Sequence, residues 1–149
     1  MRKWTAFLFF ILMAGCSGGD DEVKGVAEAY YERMLAEDYA GVHDMIHDDF
    51  LEFIGLEDKQ EFQEYFSGGD MFATEFDVVD VIPMEETILR SAYETSNFSA
   101  GVAEHEDIYL ARVELLYEED VGLYPGVDDV LLVNEDGEWQ VLVVFSMFN

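Results

Sequence analysis

The spacing of apolar residues changes once along this chain, near Gly68 and Gly69, and that change constrains the fold more than any motif. Before it, apolar side chains recur at the three- and four-residue spacing of a helix; after it they alternate as in a strand. Val23, Val26, Ala27, Tyr30 and Met34 predict a long first helix, interrupted by Glu37 and Asp38. Asp38 can cap a second, shorter helix carrying Tyr39, Val42 and Ile46. Phe50 to Ile54, short and aromatic, reads as a strand. Asp58, with Glu61 three residues on, predicts the start of a third helix. Its buried stripe is Phe62, Tyr65 and Phe66, and Ser67, Gly68 and Gly69 stop it.

Strands are expected at Phe76 to Ile82 (ended by Pro83), Thr87 to Thr95 and Ile108 to Glu118. The third is the clearest, with Tyr109, Ala111, Val113, Leu115 and Tyr117 on one face. A closing hairpin runs from Val130 to Val133, turns at Asn134 to Gly137, and returns from Trp139 to Phe145. Helices followed by strands specify an α+β domain, with three N-terminal helices packed in a curved antiparallel sheet.

The first residues are organised differently. Arg2 and Lys3 precede an apolar run, Trp4 to Met13, followed by Ala14, Gly15 and the single cysteine, Cys16. A membrane span needs about 20 apolar residues, and this run is half that. A basic start, a short apolar stretch and small residues at its end are the parts of an export signal. The segment resembles the lipobox of bacterial lipoproteins, and the resemblance implies cleavage before Cys16 and acylation of its thiol. Residues 1–15 are then a signal peptide, 16–22 a lipidated flexible tether and 23–149 the domain. The domain would stand outside the cytoplasm, on the outer face of the cytoplasmic membrane or on an outer membrane. No other cysteine exists to form a disulfide, so the core alone must carry stability.

The chain holds 34 acidic residues against 7 basic ones, a formal charge of −27, and the acid-free leader takes two of the bases. Such a field repels nucleic acid and excludes it as a partner. The acids recur at expected turns, including Asp48–Asp49, Glu104 to Asp107 and Asp128–Asp129, as a solvated surface does. The pattern resembles proteins of salt-loving prokaryotes, whose self-repulsion is screened by molar ions; an ordinary acidic surface is the alternative. No calcium-loop motif occurs.

The element order, with Glu37 to Gly41 opening the second helix, His47 to Phe50 leaving it and Asp136 to Trp139 closing the last hairpin, resembles the nuclear transport factor 2-like superfamily. That group includes ketosteroid isomerase, scytalone dehydratase and SnoaL-like cyclases. The resemblance spans residues 23 to 149 and implies a cone-like fold. It also implies that any chemistry would use acids, histidines or tyrosines inside the cone.

Asp80 is the acid to inspect, since it alternates with Phe76, Val78 and Ile82, although solvent exposure is the alternative. Tyr30, Tyr65, Tyr93 and Tyr109 are candidate phenols and pocket residues, with core packing the plainer role of each. His43 and His47, four residues apart, are weak candidates for a metal completed by Asp44, Asp48 or Glu104. No metal or other cofactor is expected. Arg112 and Glu114 share a strand face, where a surface ion pair is the ordinary meaning.

The expected function is a lipid-anchored, non-catalytic module that binds a small apolar ligand or an envelope protein. Twelve phenylalanines and eight tyrosines are ample to line a pocket. An isomerase, dehydratase or cyclase using Asp80 and a tyrosine is the alternative, and pairing of two copies through the sheet is open.

Overall fold

The computed structural model describes residues 18–68, 73–84, 105–119 and 122–148. Cys16, Tyr93 and the expected strand Thr87 to Thr95 lie outside the described residues. The fold is α+β; the described residues form four helices before four antiparallel strands in the order β1-β2-β3-β4. No helix among the described residues is long and apolar enough to cross a membrane.

Helix α1 runs Gly18–Leu35, so residues 18–22, expected as tether, form its first turns. Asp20 and Asp21 lie in that first turn, where the helix dipole favours negative charge. Val23, Ala27, Tyr30 and Tyr31 are buried along one side of α1. Its end is a Schellman turn. Asp38 N donates to Arg33 O at 2.9 Å and Glu37 N to Met34 O at 3.1 Å, with Glu37 in the left-handed region at φ 58°.

Helix α2 (Tyr39–His43) is capped by Asp38, which accepts from Gly41 N at 3.1 Å. Helix α3 (Asp48–Ile54) replaces the expected strand at Phe50 to Ile54. Two local devices decide that outcome. The His47 ring caps the first turn, and Gly55 ends the helix at φ 70°. Helix α4 (Lys59–Ser67) begins as expected, Asp58 accepting from the backbone of Gln60 and Glu61. Phe62 on α4 is fully buried, but Tyr65, expected in the same stripe, is 67% exposed.

The strands are β1 (Ala73–Pro83), β2 (Ile108–Glu119), β3 (Gly122–Glu135) and β4 (Glu138–Phe148). The alternation expected in β2 holds. Ala111, Val113 and Leu115 join Val130, Leu132 and Val141 in the core that faces the helices. The opposite face carries a second core of Met84, Ile108, Leu110, Leu131, Val133, Leu142 and Val143.

The β3–β4 hairpin turns on Asp136 (φ 53°) and Gly137 (φ 90°), the positive angles a two-residue turn requires. Strand β3 begins at Gly122 rather than Val130. Asp128 and Asp129, expected in a solvated turn, therefore stand in mid-strand, 6% and 1% exposed. The chain between α2 and α3 is pinned to β4: His47 N donates to Val141 O at 2.9 Å and Val141 N to Met45 O at 2.8 Å.

Candidate functional site

Helices α1, α3 and α4 do not close completely on the sheet. Between them lies a cavity of about 450 Å³, within the range of small-molecule sites. Tyr30, Phe50, Phe66 and Phe76 give it an aromatic lining. Among the described residues that line it, Asp128 is the only charged one.

Asp128 reaches the cavity because β3 alternates: it follows Val130 and Leu132 onto the helix-facing side. Tyr31 Oη donates to Asp128 Oδ2 at 2.5 Å, the short end for a phenol on a carboxylate. Asp128 Oδ1 is buried and no donor stands in hydrogen-bonding geometry to it, although the Ser146 hydroxyl lies near enough to favour the charged carboxylate. Burial raises the Asp128 carboxyl above the ordinary carboxylate range, and the neighbouring Asp129 adds to the rise. The hydroxyls of Tyr31 and Ser146 oppose it by favouring the charged form. Burial first, then the Asp128 charge, raises the pKa of Tyr30, Tyr31 and Tyr117, so these phenols keep their protons.

The surrounding rings hold this pair in place. Tyr30 meets Tyr31 edge-on at 5.1 Å and Phe76 stacks on Tyr31 at 5.5 Å. Tyr117 lies across Gly126, where an added Cβ would stand 2.6 Å from its ring. Ser146 is the register partner of Asp128 on β4 and lines the same cavity.

Asp129 points to the other face and has a different answer to burial. Arg112 donates to it from Nε at 2.8 Å and from Nη2 at 2.9 Å, a bidentate pair across the β2–β3 ladder. The expected surface pairing of Arg112 is thus with a buried acid.

The residues expected to form the site are only partly brought together. Tyr30 and Tyr65 line the cavity, Tyr65 at its exposed margin. Tyr109 does not; its ring meets Trp139 edge-on at 5.3 Å, near Gly19 at the start of α1. Asp80 is exposed on β1, opposite Arg112, and is not among the cavity residues. A bulge between Val78 and Asp80 breaks the alternation that was to carry Asp80 inward with Val78.

His43 and His47 do not converge either, because α2 ends at His43 and the chain turns before His47. His43 instead bonds Glu57 O at 3.0 Å and packs edge-on against Phe62 at 5.3 Å. His47 meets His105, their rings 4.8 Å apart.

Asp128, Tyr31, Tyr117 and Ser146 were missed as site residues. The available signal was the aliphatic run Val130 to Val133, which extends backward through Val127 with strand alternation and places Asp128 inward. No protein-family model, no curated protein and no solved structure matches the chain.

Proposed function

We propose that this domain binds a small, mainly apolar molecule carrying one hydrogen-bond donor, seated in the cavity above Asp128. The observation that carries the reading is a largely apolar, aromatic-lined cavity with a single charged residue in its described lining, Asp128, whose Oδ1 is buried without a hydrogen-bond partner. A buried acceptor without a partner costs about 1–3 kcal/mol, and a ligand N–H or O–H that meets the Asp128 carboxylate as it turns toward the cavity offsets that cost. The rest of the lining then supplies affinity by burying the ligand's apolar body.

The same proposal keeps the nuclear transport factor 2-like arrangement, supported by helices preceding an antiparallel sheet with the cavity between them. It also keeps export and acylation at Cys16, supported by the basic and apolar leader before that residue. The domain would then hold its ligand beside a membrane surface, and a Cys16→Ala protein would lose its acyl label.

Acid–base catalysis is the second reading, favoured by the Tyr31–Asp128 hydrogen bond and the raised Asp128 carboxyl. An isomerase of the ketosteroid type needs a carboxylate base besides a donor pair. The described lining offers one acid, so binding is the better-supported function.

Fluorescence titration with aminoanthracene and anthracene tests this reading. The amine is expected to bind roughly tenfold tighter, the value of one hydrogen bond to a charged acceptor. Asp128→Leu in a Tyr31→Phe background removes the acceptor without stranding a phenol and should abolish the preference while keeping anthracene binding. Equal affinity of both probes for the unaltered protein would contradict the proposal.

A further inference from the structure

A second constellation stands at the opposite end of the sheet. Glu135 ends β3, seven residues beyond Asp128, or roughly 23 Å along an extended strand. His47 caps α3, Asp49 lies in the first turn of that helix and His105 precedes β2. Together with Asp48 and Gln140 they line a polar cleft. The His47 and His105 side chains are 8% and 11% exposed, beneath the part-exposed carboxylates of Asp49 and Glu135.

Hydrogen bonds settle which ring nitrogens point where. Asp49 N donates to His47 Nδ1 at 3.1 Å, which places the lone pair on Nδ1 and the proton on Nε2. His47 Nε2 faces Glu135 Oε2 at 3.2 Å, and His105 Nδ1 faces Glu135 Oε1 at 3.5 Å. A single carboxylate thus takes one nitrogen of each ring. The two remaining nitrogens face a single oxygen: Asp49 Oδ2 lies 3.6 Å from His47 Nδ1 and 3.3 Å from His105 Nε2.

We propose that His47 Nδ1, His105 Nε2 and Asp49 Oδ2 form a site for a divalent first-row transition metal, zinc above all, with Glu135 orienting both histidines. Zinc bonds of about 2.0–2.1 Å in a tetrahedron separate ligand atoms by roughly 3.4 Å, close to two of the contacts described above. His47, Asp49 and His105 offer ligand atoms that all lie within 4.8 Å of one another. A carboxylate accepting the outer N–H of a metal-bound histidine is the usual support for such a ligand.

Two imidazoles favour zinc, copper or nickel over magnesium or calcium, which prefer oxygen alone. Three protein ligands leave a fourth position open to water or another donor. On binding, the metal takes over the Nδ1 lone pair that Asp49 N–H occupies in its absence. The site is independent of the cavity at Asp128.

The test is a cobalt titration of the full-length protein, read by visible absorption, with zinc then added to displace the cobalt. Molar salt screens the exposed carboxylates that would otherwise bind divalent ions weakly. One cobalt per chain is expected, with the strong visible bands of a four-coordinate nitrogen-containing site that zinc abolishes. His105→Gln and Asp49→Asn should each weaken binding at least tenfold, and Glu135→Gln by about 10–100-fold. His43→Gln, outside the cluster, should leave affinity unchanged. A circular-dichroism melt of each variant confirms that it is folded. Binding that survives His105→Gln in a folded protein, spectra typical of all-oxygen ligation, or no binding at all would overturn the proposal.

Discussion

Tyr31 and Asp128, 97 residues apart in sequence, share a 2.5 Å hydrogen bond that joins α1 to the middle of β3 inside the cavity. The bond does two things. It ties the first helix to the sheet at a buried point, and it satisfies one oxygen of a carboxylate whose other oxygen has no partner.

Tyr31→Phe should therefore cost stability out of proportion to one hydroxyl. It takes the phenol from Asp128 Oδ2 and leaves a buried carboxylate oxygen unsatisfied, so about 1–3 kcal/mol of lost unfolding free energy is expected by urea denaturation. Adding Asp128→Leu should recover most of that loss, because no buried carboxylate then remains. Additive losses in the double variant would show that the two residues are not coupled.

The raised Asp128 carboxyl gives a signed pH dependence. The folded state holds this proton more tightly than the unfolded chain does, so Asp128 lowers stability as pH rises from the ordinary carboxylate value to its own raised one. Asp128→Asn removes that slope. Unfolding free energy of the natural protein minus that of Asp128→Asn should fall across this interval and stay flat above and below it. A difference that rises with pH would reverse the assigned direction.

Glu37 occupies the left-handed position of the Schellman turn, where glycine carries no strain. Glu37→Gly should stabilise the protein by about 1 kcal/mol, since a side chain in that conformation costs roughly 1–2 kcal/mol and glycine gives back part of this as entropy. A lower melting temperature would show that the Glu37 side chain does something the turn geometry does not require.

The formal charge of −27 makes ionic strength a variable of the fold itself. The screening length falls from about 30 Å at 0.01 M to about 3 Å at 1 M salt. Melting temperature should climb steadily over that range. A flat curve would mean that self-repulsion is not limiting stability and would remove the argument for a high-salt habitat.

Where local chemistry decides the structure, the residues were readable one at a time. Asp38 and Asp58 cap the helices they appeared to cap, β2 keeps its alternation, and Asp136–Gly137 closes the last hairpin. Phe50 to Ile54 was not readable, because a short apolar run suits strand and helix equally until His47 and Gly55 set its ends. Asp128 and Asp129 had the look of a turn, and distant partners, among them Tyr31 on α1 and Arg112 on β2, make their burial tolerable. The histidine cluster is likewise tertiary: His105 meets Asp49 across 56 residues of chain, beyond the reach of any spacing rule.

The central claim is that the cavity above Asp128 is a ligand site, and native mass spectrometry of the protein isolated from its own cells tests it most directly. The unaltered protein should carry one small molecule per chain, and Ser146→Trp, which fills the cavity from β4, should arrive without it. A bound compound retained by Ser146→Trp, or a chain free of any compound in the unaltered protein, would contradict the account.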